Sequence, residues 1–248
     1  MVGRMEQQLL NGYNKKTNNI MIIITGASKG IGKFLCEEYS KKDVKVLGIY
    51  NSTFIESSYE NTAYFKLDTT KHHEITSWID EVKSSFEDIT LINCAGINYN
   101  SFAHKADIQK WKEVIDVNLI GTFNMISSLL PFMREQSFGR IINFGSVVAE
   151  LPSPGISAYA ASKSALFGMS KSIAVENATK GITINNINLG YSELGMISEV
   201  PEKFLEDIKK RIPSNKLCKP SDILNTIEYL RDTEYVNGTE ININGGII

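Results

Sequence analysis

"IIITGASKGIGKFLCEEYS", residues 22–40, decides the fold. It runs from an apolar stretch of strand length into a helical pattern, and Gly26, Gly30 and Gly32 sit at the junction. Glycine allows a tight turn and lets backbone N–H groups approach a phosphate, while the helix N-terminus supplies a favourable dipole. A purely structural turn is the alternative, but the strand before it and the helix after it are the context a nucleotide-binding turn requires. Gly26, Ala27, Ser28, Lys29, Gly30, Ile31 and Gly32 are therefore the first candidate cofactor contacts.

Outward from this turn the chain alternates. Apolar runs of strand length occur at 20–25, 44–50, 63–67, 89–93, 140–144, 182–187 and 239–243, with stretches of helical spacing between them. Such alternation predicts an α/β fold: a Rossmann-like, doubly wound parallel sheet of about seven strands with helices on both faces. The runs are rich in Ile and Val, as strands buried on both sides should be. No proline- or glycine-rich linker divides the chain, so one domain is expected over 20–248, preceded by a polar extension at 1–19. The charged segment at about 191–216 breaks the alternation and reads as a lid over a site.

The totals exclude several classes. In 248 residues, 42% are hydrophobic and 22% charged, and the net charge is −2. No basic field recruits nucleic acid. Cys36, Cys94 and Cys218 are odd in number and lack metal-ligand spacing, so reduced thiols and no metal site are expected. His72 and His73 read as a solvated turn. The run "IMIII" at 20–24 is too short to span a membrane. A cytoplasmic protein without a membrane partner is the expectation.

"YAASK", residues 159–163, carries the chemistry. On a helix, Tyr159 and Lys163 share one face. A phenol ordinarily titrates near ~10, and a neighbouring ammonium favours the phenolate and lowers that value. The pair therefore reads as a proton donor tuned toward the working pH.

The spacing TGxxxGxG at 25–32 resembles that of the short-chain dehydrogenase/reductase family. "NCAG" at 93–96 is similar to its NNAG, "VNLIGTFN" at 117–124 holds its asparagine, "INFGSVV" at 142–148 its serine, and "YAASK" its YxxxK. "VNGTEININGG" at 236–246 matches its last strand. The resemblance covers about 20–248. It implies a catalytic tetrad of Asn118, Ser146, Tyr159 and Lys163. Tyr159 would protonate the substrate oxygen, and Ser146 would bond it. Lys163 would also hold the nicotinamide ribose, and Asn118 would hold a water leading to solvent. It further implies cofactor contacts at Asp68, Thr69, Asn93, Ala95, Gly96, Gly190 and Ser192, and a homodimer or homotetramer built on the helices near 107–135 and 157–179.

In such folds an acidic residue after the second strand binds the ribose of NAD. None occurs between Val44 and Ile55, where Asn51, Ser52 and Thr53 stand instead. With Lys29 in the turn, this favours NADP(H), and NAD(H) is the alternative. The text looks most similar to the 3-oxoacyl-acyl-carrier-protein reductases, which implies NADPH-dependent reduction of a small-molecule or carrier-bound ketone. Where such reductases tend to carry arginine, the chain has Ser137 and Val175, although Lys203, Lys209, Lys210 and Arg211 lie in the lid. Leu189, Ser192 and Leu194 also depart from the family's usual Pro, Ile and Thr. Two other readings stand beside this one: an NAD-linked alcohol dehydrogenase for a sugar or secondary metabolite, and a non-catalytic nucleotide-binding subunit.

Overall fold

The computed structural model describes residues 20–151, 153–195, 197 and 201–247. The extension expected at 1–19 lies outside the described residues, as do parts of the expected lid.

Seven strands form one parallel sheet: β1 (Met21–Thr25), β2 (Lys45–Tyr50), β3 (Thr62–Lys66), β4 (Ile89–Asn93), β5 (Gly139–Phe144), β6 (Ile182–Leu189) and β7 (Glu240–Ile243). Their order is β3-β2-β1-β4-β5-β6-β7. The order reverses between β1 and β4, and that crevice is where ligands bind in doubly wound sheets. Every expected strand is present to within two residues at each end.

The strands are buried on both faces because helices cover both. Met21, Ile23, Leu91, Ile141 and Ile184 face one core with the helices α2 (His72–Val82), α4 (Gly121–Gln136) and α5 (Ser157–Asn177). Ile22, Ile24, Val46, Ile142 and Ile187 face the other, with α1 (Gly30–Ser40) and α7 (Pro220–Asp232). Successive side chains of a strand point to opposite faces, so one continuous apolar run serves two cores.

Two helical expectations change. His72 and His73 are the first residues of α2, exposed at its N-terminus rather than in a turn. No helix forms between β2 and β3: residues 51–61 are a loop. Short polar side chains there compete with helical hydrogen bonding. Ser57 Oγ accepts from Tyr59 N at 3.1 Å, and Asn61 Nδ2 donates to the carbonyls of Ser40, Lys42 and Val44 at 2.9–3.1 Å. Asn61 thus ties the loop to the end of α1.

Between α3 (Ile108–Ile115) and α4 the helix widens into a π-turn at Asp116–Ile120. Such turns insert one extra residue into a helix and are frequent at functional sites. Here the turn contains Asn118.

Candidate active site

The glycine turn opens at the crevice. Gly26 and Gly30 have φ of +68° and +55°, which residues with a Cβ adopt at a cost. Gly26 packs so closely on the end of β4 that a Cβ would lie 2.8 Å from Ala95 N. Ala95 N in turn donates to Thr25 Oγ1 at 3.1 Å, locking the ends of β1 and β4 together. Lys29 stands at the N-cap of α1 without a side-chain cap, so the first-turn N–H groups have no capping acceptor. That donor set suits the phosphates of a dinucleotide.

The other expected cofactor contacts surround this turn. Asn51 and Ser52 are exposed at the end of β2. Asp68 follows β3, where its Oδ1 accepts from Thr70 N and Thr70 Oγ1 at 3.0 and 2.8 Å. Thr69 is buried, and its carbonyl accepts from Asn124 Nδ2 at 3.0 Å. Asn93 closes β4, and its side chain donates from Nδ2 to Asn143 Oδ1 at 2.8 Å, while its own Oδ1 has no partner. Gly190 N donates to Ile243 O at 3.2 Å. Ser192 pairs with Cys218 in a short parallel bridge, and its hydroxyl stays local to Leu194. The segment then doubles back, so that a Cβ on Gly30 would lie 3.1 Å from Gly195 Cα. The start of the expected lid therefore rests on the glycine turn. Its remaining helix, α6 (Glu202–Lys210), is amphipathic and charged.

The four tetrad residues meet at the C-terminal ends of β4 and β5. Ser146 follows β5, and its hydroxyl lies close to the phenol of Tyr159, at the start of α5. Lys163, one turn later and 6% exposed, donates from Nζ to Phe144 O at 2.6 Å. Nζ also lies beside Gly96, where a Cβ would approach it to 3.8 Å. Asn118 is 1% exposed. Its Oδ1 accepts from Ile97 N at 2.8 Å, and its Nδ2 donates to Ile97 O and Ser162 Oγ at 2.9 and 3.0 Å.

The Asn118 side chain is held by the Ile97 backbone and Ser162, so it clamps the wall of the site. One expectation about these groups is corrected: the Tyr159 phenol is not made acidic by its neighbour. Burial pushes its pKa up, and the nearby Ser146 hydroxyl only eases it down. Nζ lies 5.6 Å from the centroid of the phenol ring. Burial also pushes the Lys163 ammonium down, to about 8. The apolar packing that holds the pair together opposes both charged forms.

Sequence reasoning missed the carbonyl of Phe144, because a backbone acceptor has no residue-type signature. It also missed Thr25 and Asn124, which brace the cradle through their side chains. The Cys94 thiol is pushed well up by burial and is inert as a nucleophile. Among the described residues no cluster of metal-ligating side chains occurs.

The sequence profile of short chain dehydrogenases matches residues 20–204. The chain belongs to that family. As a short-chain dehydrogenase it is an NAD(P)-dependent oxidoreductase acting at a carbonyl or hydroxyl carbon. It is similar to 3-oxoacyl-acyl-carrier-protein reductase FabG of Haemophilus influenzae, with 31% identity over 91% of this chain and 96% of that protein. FabG of Buchnera aphidicola subsp. Baizongia pistaciae shows 35% identity over 94% and 98%. The acetoacetyl-CoA reductase of Rhizobium meliloti shows 33% over 90% and 96%. Among solved structures, the ligand-free aldohexose dehydrogenase of Thermoplasma acidophilum matches this short-chain dehydrogenase with a TM-score of 0.83. That match covers 92% of this chain and 93% of the other at 26% identity.

Proposed function

We propose that this short-chain dehydrogenase reduces the ketone of a 3-oxoacyl thioester, or a related carbonyl compound, with NADPH, and that Tyr159 is the general acid. The observation that carries the reading is the convergence of the Ser146 hydroxyl, close enough to influence the Tyr159 phenol, with a Lys163 ammonium anchored on Phe144 O. NADPH bound along the glycine turn supplies the hydride. The two hydroxyls offer donors to one substrate oxygen, stabilising the negative charge that develops there. Tyr159 then gives that oxygen its proton. A raised phenol pKa suits this direction, since the group stays protonated at neutral pH and is still a far stronger acid than an alcohol. An ammonium has three donors, and Lys163 offers those not spent on Phe144 O to the ribose hydroxyls. Asn118 holds the Ile97 segment as one wall.

NADPH is favoured because Lys29 is exposed at the turn and no carboxylate lies between Val44 and Ile55. Lys29→Glu is expected to raise the KM for NADPH about tenfold, the worth of one charge-assisted contact, with little change for NADH. Steady-state kinetics with both cofactors check this. An equal effect on the two would remove Lys29 from cofactor choice.

Carrier-bound and free thioesters both fit the site. Val175, 83% exposed, stands where an arginine would favour an acidic carrier. Lys209 and Lys210 of α6 pair with Glu206 and Asp207 at 2.8 and 3.3 Å, which reduces their pull on one. The direct test is loss of NADPH absorbance with acetoacetyl-CoA, an acetoacetyl carrier protein and simple diketones. NAD-linked oxidation of an aldose without ketone reduction would instead support a sugar dehydrogenase.

The α3–α4 helical run carries an apolar window of mean hydropathy 1.3 of which 39% is buried. Ile108, Ile120 and Phe123 are exposed on it. We read the uncovered face as the contact with a second copy in a homodimer or homotetramer working in the cytoplasm. Phe123→Lys is expected to shift the mass in sedimentation from oligomer to monomer. A wild-type monomer would sink the assembly.

A further inference from the structure

The floor beneath Ser146 holds an asparagine that neither the proposed chemistry nor the fold requires. Asn188, near the end of β6, is 1% exposed, and its Nδ2 and Oδ1 both lack a hydrogen-bond partner. Buried polar groups are almost always paired, so an interior amide with both ends unpaired calls for an explanation. Glu240 of β7 lies near enough for the amide to ease its carboxyl down against the upward push of burial, but not in hydrogen-bond geometry.

Its position supplies the explanation. Phe144 pairs with Ile187 in the β5–β6 register, which sets Gly145 across from Asn188. The fit is so tight that a Cβ at Gly145 would run into Asn188 Oδ1. Gly145 is the single link between two working groups, Phe144 O, which anchors Lys163, and Ser146, whose hydroxyl lies close to the Tyr159 phenol. The Ser146 carbonyl accepts from Ala149 N at 2.9 Å, but its hydroxyl oxygen accepts only a long bond from Val148 N, 3.4 Å. We infer that Asn188 is a positioning residue for the reaction: its amide presses on Gly145 and fixes the height and rotation at which Ser146 presents its hydroxyl. The inference rests on the reductase reading above.

The test is a double-variant cycle on the full chain, reading kcat, KM, cofactor affinity and melting temperature. Gly145→Ala places a methyl against the amide and is expected to lower kcat at least about 100-fold, as small misplacements of a catalytic group do. Asn188→Ala removes the brace and is expected to lower kcat about tenfold, with KM and NADPH affinity within twofold of wild type. In the double variant the methyl added at position 145 enters the space left by the Asn188 amide, and kcat is expected to return to within about threefold of wild type. Recovery of melting temperature without recovery of kcat would show mere packing and overturn the inference. So would wild-type kcat in Asn188→Ala. A wild-type chain that reduces no carbonyl compound overturns the reductase reading and this inference with it. Wild-type turnover with an unrescued double variant overturns this inference alone.

Discussion

Tyr159→Phe is expected to bind NADPH as the wild type does and to lose about 10³-fold in kcat, within the range that a positioned general acid contributes. The change removes only the hydroxyl, and the ring keeps its place in the first turn of α5. Ser146 Oγ still offers a donor to the substrate oxygen, which sets a residual rate above the uncatalysed reaction. The measurement pairs NADPH fluorescence titration with single-turnover kinetics on acetoacetyl-CoA. Near-normal turnover in this variant would end the assignment of Tyr159 and send the search for the acid elsewhere.

Lys163→Met is expected to move activity and stability in opposite directions. Turnover should fall at least about 100-fold, because the variant loses the cation that the proposed site uses to hold the ribose. Stability at neutral pH should rise. The folded-state pKa of Lys163 is lowered from 10.5 to about 8, so the unfolded chain binds the extra proton more tightly. Stability increases with pH wherever the unfolded state holds more protons. The penalty is therefore complete below pH 8 and fades as pH rises toward 10.5. A depression of this size corresponds to about 3 kcal/mol. Loss of the bond to Phe144 O returns about 1–2 kcal/mol of that. The variant should melt a few degrees above wild type at about pH 7, with the difference closing near the ordinary lysine pKa of 10.5. Thermal melts across that window check the sign. A variant less stable than wild type at neutral pH would mean that the Phe144 anchor outweighs the desolvated charge.

Most strands were legible because they are compact runs rich in Ile and Val, and burial on both faces requires that composition; the edge strand β3 has neither residue and gave a weaker signal. The tetrad was legible because its members have fixed sequence spacing and the folded chain brings them together. What the residues do to one another was not legible. Tyr159 and Lys163 read as a charge-coupled pair from their i, i+4 spacing alone, but the dominant influence on both is the packing around α5, which spacing does not report. Asn118 shows the same limit: its identity was visible, while its three bonds depend on where Ile97 and Ser162 end up. The loop at 51–61 was misjudged because helical spacing in the rest of the chain carried over to a stretch in which Ser57 bonds locally and Asn61 bonds back to the end of α1. The role of 1–19 was open in the sequence and remains outside the described residues.

That loop has a consequence for how such an enzyme diversifies. The turn proposed to meet the adenosine end, Asn51 to Thr53, belongs to a connection that carries no helix and leaves Phe54 in solvent. Substitutions at these exposed positions leave both apolar layers intact, whereas Ile55 and Asn61 further along tie the loop to the scaffold. On the proposed reading, preference between the phosphorylated and unphosphorylated dinucleotide is written on positions free to mutate, and natural drift or a protein engineer can rewrite it without first securing a more stable scaffold.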